Sequence, residues 1–330
     1  MKLTAYFLSF FSAIVFISSS LSCDGGRSSY DDTPVVICRF DLTADTAANS
    51  DSICRAEIVA RYLLPLKAIA YSMLDDRSPS EIMSEYISSP AFKVFTPDVR
   101  NTFPNLDEVQ RHLTTSFGVL RDSSLSVPTA LFSIVSPYNQ SVIRLDSVML
   151  ISLNHYLGAD YPGYDGMDAY RRRLKTPQRI PVDVTESVIR YNFPAAGGDF
   201  GNSALCRMLY EGAVLSVLKN ALPDYSLADL LGYTSQEWQW CLDNEHNIWS
   251  TLASRNLLYT TSPMDVARLI YPSPATAAVH PDAPGGLGRF VGYRIVSSYL
   301  KKYPSTSLQR LFSSDFISSR ETLVKAGYNP

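Results

Sequence analysis

The sequence is poor in the residues that usually build metal and redox sites. It has four histidines and five cysteines in 330 residues, and no two histidines have the spacing of metal ligands on one helix. No two cysteines form a CxxC pair, which disfavours a zinc ribbon and a thioredoxin-type motif. HExxH, GxSxG, Walker A and EF-hand patterns are also missing. We therefore expect neither a bound metal nor a cofactor.

Charged residues are scarce, and neither sign dominates. Lys and Arg number 29 and Asp and Glu number 32, which gives a formal net charge of −3. This balance provides no basic surface for nucleic acid, so no nucleic-acid partner is expected. Charged residues make up 18% of the chain and hydrophobic residues 46%. That composition is typical of a packed globular protein.

Beyond the N-terminus the sequence has no long apolar run, and the short run at the N-terminus has the form of an export signal. Lys2 precedes an apolar segment over residues 6–17, and small residues lead to Cys23. The segment is shorter than the ~20 residues that span a bilayer, and it predicts a signal peptide over residues 1–22. A cysteine directly behind such a segment is typical of a bacterial lipoprotein, in which the thiol is acylated, with palmitate as one acyl group. An ordinary secreted protein with an incidental Cys23 is the alternative.

The rest of the chain is predicted to be a lipidated polar tether over residues 23–33 and one globular domain over residues 34–330. Acyl chains on Cys23 would hold the protein to a membrane, and we expect the globular body in the periplasm of the cell envelope. Four further cysteines either form disulfides in that oxidising compartment or remain buried thiols. They are Cys38, Cys54, Cys206 and Cys241.

Hydrophobic patterns predict an α+β fold, with a small sheet in the first half and mainly helices in the second. Strands are expected over residues 35–40, 130–135, 142–145 and 148–153. The last strand is almost continuously apolar, which predicts a place in the sheet interior. Helices are expected over residues 54–74, with a kink at Pro65, and over 78–88, 105–117 and much of the chain after 181.

One glutamate falls on a helix that otherwise looks buried. The helix predicted over residues 203–219 is apolar almost all round and carries Glu211 at its middle. A buried carboxylate either pairs with a cation or takes part in direct chemistry. The pairing is the commoner outcome, and Arg207 and Arg294 are its candidate partners.

A second glutamate has a similar setting. Thr234 and Glu237 form a predicted capping box that begins a helix, and Glu245 falls on the apolar stripe of that helix. Two inward carboxylates could serve acid–base chemistry or bind a metal. Salt-bridged core residues are again the commoner outcome.

Residues 284–288 read Pro-Gly-Gly-Leu-Gly and precede a predicted helix. The loop follows a proline-rich segment and no strand, so it is not a dinucleotide site. We interpret it as a turn and a helix start. Gly288 and Gly292, four residues apart, would permit close packing of that helix.

Several segments share their pattern with one known family. The "YLG-D-P", "MIYEGK" and "GYT-EQ--WC--NE--IW" patterns of that family are similar to residues 151–162, 208–212 and 232–249. Further likeness lies at residues 39–41, 284–288 and 292–296. On these segments the chain resembles the gliding-motility lipoprotein GldB family of Bacteroidota, most densely between residues 145 and 300. Ala213 departs from the family pattern, which usually has lysine there.

The resemblance implies an envelope lipoprotein of the gliding motility and type IX secretion machinery. It also implies a distant similarity to predicted zinc peptidases with an HExxH motif and a later glutamate in an "EGxA" helix. Glu211 would correspond to that later glutamate, and Glu186 would stand where the HExxH glutamate was. Thr185 and Ile189 supply no zinc ligand. The implied fold is thus a degenerate, zincin-like metallopeptidase fold without its metal.

We therefore expect a non-enzymatic lipoprotein that acts by contacts with envelope proteins. The alternative is an envelope hydrolase, directed at peptide or glycan, that uses the inward carboxylates Glu211 and Glu245. A glycan-binding module is a third hypothesis, which would need aromatic residues on an exposed platform. Candidate contact aromatics are Tyr161, Tyr164, Tyr170, Trp238 and Trp240.

Overall fold

The computed structural model of the chain describes residues 31–72, 75–137, 139–195 and 201–330. The predicted signal peptide and Cys23 lie outside the described residues. Among the described residues, no helix has both the length and the apolar content to cross a membrane. The architecture is α+β, as predicted, with a small sheet in the first half and helices throughout the second.

The first half contributes six helices. They are α1 (Phe40–Ala48), α2 (Ser52–Arg61), α3 (Leu63–Ser72), α4 (Pro79–Ser88), α5 (Pro90–Thr102) and α6 (Asp107–Asp122). The sequence patterns predict α4 and α6 but neither α1 nor α5. The single kinked helix predicted over residues 54–74 is instead two helices, because Pro65 has no N–H for the carbonyl of Arg61 and its ring crowds that carbonyl.

The sheet has four strands in the described residues, in the order β1-β2-β4-β3. They are β1 (Ile37–Cys38), β2 (Ala130–Ile134), β3 (Val142–Leu145) and β4 (Val148–Ser152). β4 is buried along its whole length and pairs in parallel with β2 and antiparallel with β3, which confirms its predicted interior place. β1 is shorter than the strand predicted over residues 35–40, because Phe40 already begins α1.

The second half is helical, as predicted. Its elements are α7 (Ala169–Arg172), α8 (Ile180–Asn192), α9 (Ala204–Ala221), α10 (Leu227–Leu231), α11 (Ser235–Asp243), α12 (Glu245–Ser254), α13 (Pro263–Ile270), α14 (Leu287–Lys302), α15 (Leu308–Leu311), α16 (Ser314–Ile317) and α17 (Arg320–Ala326). The predicted capping box of Thr234 and Glu237 begins α11. The helix predicted to continue through Glu245 instead ends at Asp243, and Glu245 begins α12.

The four cysteines in the described residues are unpaired thiols. Cys206 and Cys241 are buried, whereas Cys38 and Cys54 are partly exposed. Burial raises the pKa of the Cys241 thiol to about 12, so this side chain remains protonated and acts as a small apolar group.

Helices α9 and α14 pack together with almost no space between their backbones. A Cβ atom on Gly292 would overlap the carbonyl oxygen of Met208, and a Cβ atom on Gly212 would overlap the carbonyl oxygen of Gly292. The close packing predicted for the helix that follows the 284–288 loop is therefore present, and glycine is required where the two helices meet. Gly286, at φ 69°, begins α14 in the left-handed region.

We predict that Gly292→Ala lowers the free energy of unfolding by about 3 kcal/mol or more, because two helix backbones would have to separate to admit one methyl group. Gly166→Ala is the matched control, since no atom lies within 4 Å of a Cβ placed there, and it should change stability by less than about 0.5 kcal/mol. Urea unfolding of the purified variants measures both values. Equal stability of the two variants would contradict the close packing.

Candidate functional site

Helices α8 and α9 lie against each other and bring Glu186 and Glu211 onto one guanidinium group. Arg190, one turn after Glu186 on α8, donates from Nη1 and Nη2 to the two carboxylate oxygens of Glu211 at 3.0 and 2.6 Å. It also donates from Nε to Glu186 Oε1 at 3.0 Å. The bidentate geometry fits the planar guanidinium to the carboxylate. Of the three glutamates predicted from the sequence, the structure thus brings two together.

Two further arginines complete this cluster. Arg289 of α14 lies 3.0 Å from Glu186 through Nη2 and 3.1 Å from Glu211 through Nε. Arg179, just before α8, lies 4.0 Å from Glu186. We call these five residues the Arg–Glu cluster: Arg179, Glu186, Arg190, Glu211 and Arg289. The cluster ties α8, α9 and α14 together by charge.

Burial alone would raise the pKa of Glu186, but the charges of Arg289, Arg190 and Arg179 outweigh that effect and lower the pKa to about 2. In the same way, burial opposes the charge on Arg190, and the carboxylates of Glu186 and Glu211 outweigh burial, so the pKa of Arg190 is raised. Glu186 is therefore ionised at neutral pH and has no proton to give as a general acid. Its oxygens, like those of Glu211, are already used by guanidinium groups.

The sequence correctly predicts that Glu211 pairs with an arginine, but both predicted partners are wrong. Arg207, one turn before Glu211, is not the partner, since Glu211 binds Arg190 and Arg289. Arg294 instead binds Glu245, with Nε 2.7 Å from Oε1. The true partner Arg190 is visible in the sequence only as the i+4 neighbour of Glu186. The sequence does not show which helix packs against Glu211, and that packing decides which arginine reaches it.

Glu245 lies outside the Arg–Glu cluster. Besides Arg294 it accepts a hydrogen bond from the Tyr328 hydroxyl at 2.7 Å. Burial and this hydrogen bond raise the pKa of Tyr328 above its ordinary value. The hypothesis of paired, chemically free carboxylates at Glu211 and Glu245 is not supported by this geometry, since each has its own arginine.

The two positions where a zinc peptidase would need histidines face the protein core. The Thr185 hydroxyl lies 2.7 Å from Ser116 Oγ of α6, and Ile189 is fully buried. Across the part of the chain that the structure describes, no group of three or more His, Cys, Asp or Glu side chains is arranged to hold a metal ion.

The Arg–Glu cluster forms the wall of an open cleft of about 810 Å³. The half-buried side chain of Arg207 also lines it, together with Tyr271 and Pro272 from the segment after α13. We call it the Arg–Glu cleft. Its volume suits a small molecule or a peptide segment.

A second polar group on this cleft is not predicted from the sequence. The Ser141 hydroxyl lies 3.1 Å from His155 Nδ1 and 3.2 Å from Lys175 Nζ. Burial lowers the pKa of Lys175. A hydroxyl that contacts nitrogen bases can be activated as a nucleophile. These three residues are too far apart in the chain, and too ordinary in their local patterns, to be found together without the fold.

Aromatic residues predicted as contact candidates are mostly occupied within the fold. Tyr164 is buried, the Tyr161 hydroxyl donates to Asp98 Oδ2 at 2.6 Å, and Trp238 packs edge-on against Phe290. Large exposed apolar side chains are spread over the described residues, and four of them fall on the consecutive helices α2 and α3. These four are Ile53, Leu63, Leu64 and Tyr71.

Fold and site together define an α+β protein whose buried carboxylates are neutralised by arginines. The chain belongs to the gliding motility protein GldB family, since the family model matches residues 27–330. No curated protein and no solved structure matches the chain. The family resemblance read from the sequence is thereby confirmed, whereas nothing in the comparisons bears out the zincin-like ancestry.

We predict that Arg190→Gln lowers the free energy of unfolding by about 3 kcal/mol, because it leaves two buried carboxylates short of their shared partner. Arg207→Gln is the matched control on the same cleft and should cost less than about 0.5 kcal/mol. Urea denaturation at neutral pH compares them. If both variants lose the same stability, Arg190 does not hold the cluster together.

Proposed function

We propose that the protein is a lipoprotein of the cell envelope that serves the gliding motility machinery and the linked type IX secretion system. Membership of the GldB family supports the link to motility. The N-terminal pattern that ends at Cys23 supports a lipid anchor, and the body then lies in the periplasm. The protein acts there by contacts with other envelope proteins and not by catalysis.

The observation that carries the non-enzymatic proposal is the bidentate hold of Arg190 on Glu211, with Glu186 bound to the same guanidinium. Carboxylates that act as general bases or metal ligands need free lone pairs. Freeing either carboxylate from its arginines would leave its buried charge without a cation, at a cost of about 3–5 kcal/mol. The cluster therefore fits the role of a structural tie between three helices.

The exposed apolar side chains of α2 and α3 support action by contacts. Ile53 is 72% exposed and Tyr71 is 69% exposed, on two neighbouring helices in the half of the chain closest to the proposed anchor. Large apolar side chains that remain in water are typical of surfaces that another protein covers. We place the partner contact there.

A hydrolase remains the second candidate function, because of the Ser141 group. The hydroxyl of Ser141 could pass its proton to His155 Nδ1, which lies 3.1 Å away, and attack a carbonyl group in the Arg–Glu cleft; the leaving group would take up that proton, and water would release the acyl group from Ser141. This mechanism would not need the carboxylates of the Arg–Glu cluster.

We predict that Cys23→Ser prevents acylation and releases the protein from the membrane, because the serine hydroxyl cannot replace the acylated thiol. Metabolic labelling with radioactive palmitate, followed by membrane fractionation, measures both effects. Cys38→Ser is the control and should retain label and membrane association. Label that persists in Cys23→Ser would contradict the anchor.

We predict that Ser141→Ala supports colony spreading as well as the wild-type chain does. The test uses a gliding bacterium in which this chain replaces the native family member and restores spreading. Leu64→Glu combined with Tyr71→Glu should abolish spreading while the purified protein keeps its melting temperature. Loss of spreading in Ser141→Ala with an intact fold would overturn the contact proposal in favour of the hydrolase.

A further inference from the structure

A small cavity lies beneath the 284–288 loop, next to the Arg–Glu cleft. Its volume is about 60 Å³. Arg179 and Arg289 line both spaces, while Arg173 and Tyr233 also line a second open cleft of about 490 Å³. The cavity therefore shares lining residues with two open clefts. Its polar and glycine lining includes Arg173, Arg179, Tyr233, Gly285, Gly286 and Arg289.

Hydrogen-bond donors without partners converge on this cavity. The Tyr233 hydroxyl and Arg173 Nε are both buried and find no hydrogen-bond partner among the described residues. Tyr233 is only 9% exposed. A buried donor without a partner costs about 1–3 kcal/mol, and two beside one small space indicate an acceptor that belongs there.

The start of a long helix adds to the same cavity. Gly285 and Gly286 line it, and Gly286 begins the 16-residue helix α14. The first turn of a helix carries the positive end of the helix dipole, and such an end attracts anions. Of its N–H groups, that of Leu287 already donates to Thr276 Oγ1 at 3.3 Å and that of Arg289 to the carbonyl of Gly286 at 2.9 Å. The sequence predicts only a turn and a helix start for this loop.

The charged side chains that line the cavity all have the same sign. Three arginines line the cavity and no carboxylate does. Each of these arginines is balanced by a carboxylate outside the cavity, because Arg173 binds Glu237 at 2.9 Å, Arg179 binds Asp183 at 2.8 Å and Arg289 binds Glu186 at 3.0 Å. What the cavity offers is therefore oriented donors rather than a large excess of charge. That arrangement favours a small anion with several acceptor atoms.

The size of the cavity narrows the class of anion. One water-sized atom needs roughly 15 Å³ of such volume, so about 60 Å³ holds about four. A tetrahedral oxyanion has four oxygen atoms. Two of them could accept from the Tyr233 hydroxyl and from Arg173 Nε, the donors that lack a partner among the described residues.

We propose that this cavity binds a tetrahedral oxyanion of the phosphate class. The Tyr233 hydroxyl and Arg173 Nε donate to it, and the positive end of the α14 dipole favours its negative charge. The group is either a free inorganic ion or the terminal phosphate of a larger molecule that lies in one of the two adjoining clefts.

The test is titration of the purified full-length protein, in detergent, with inorganic phosphate, at an ionic strength kept constant with sodium chloride. Calorimetry should show one site per chain, and the melting temperature should rise with phosphate concentration. Tyr233→Phe should raise the dissociation constant about ten-fold or more, because it removes one hydrogen bond to a charged group. Without phosphate its melting temperature should equal or exceed the wild-type value.

Tyr303→Phe is the matched control, because Tyr303 lies on the surface at 41% exposure, away from the cavity. It should bind phosphate as the wild type does. A wild-type chain that responds to phosphate no more than to chloride would overturn the proposal. So would an equal phosphate response in Tyr233→Phe and the wild type.

A parallel titration with glycerol phosphate distinguishes the two sources of the group. Binding of the ester with similar affinity supports a phosphate that enters on a larger molecule through an adjoining cleft. Binding of inorganic phosphate alone supports a closed ion site. Both results depend on the Tyr233 hydroxyl and are separate from the outcome of the spreading test.

Discussion

The shared guanidinium of Arg190 is the contact on which the second half of the fold depends. Glu186 and Glu211 stand on different helices, and each would be unstable in the interior without a cation. Arg190 binds both, and Arg289 brings α14 to the same point. Because a buried charge requires a partner at hydrogen-bond distance, the three helices have little freedom to shift against one another.

The glycines at the α9–α14 contact act together with this cluster. Gly212 directly follows Glu211, so the residue that allows the backbones to meet adjoins the residue that needs a cation from α14. Arg289 reaches Glu211 because no side chain separates the two helices there. The same approach places the first turn of α14 beside Arg173 and Tyr233. Packing, ion pairing and the small donor-lined cavity thus share one origin.

The structure distinguishes between two roles of the inward carboxylates that the sequence leaves open. Inward carboxylates indicate either catalysis or structure, and the arginines give these carboxylates a structural role. Elsewhere the fold brings Ser141, His155 and Lys175 together, and it leaves the Tyr233 hydroxyl and Arg173 Nε without a hydrogen-bond partner among the described residues. The proposed lipoprotein, which works by contacts and holds a small anion inside, would use the second of these groups.

The sequence by itself determined the α+β class, the interior strand β4, the buried helix α9, the capping box of α11 and the family. Each of these features depends on a pattern of residues that are close together in the chain. Only the tertiary structure decided that Pro65 separates two helices, that Arg190 and Arg289 rather than Arg207 bind Glu211, and that Glu245 stands apart. Partners of a buried charge come from whichever helix packs across it. That choice depends on the shape and volume of side chains distant in the chain, which no local pattern records.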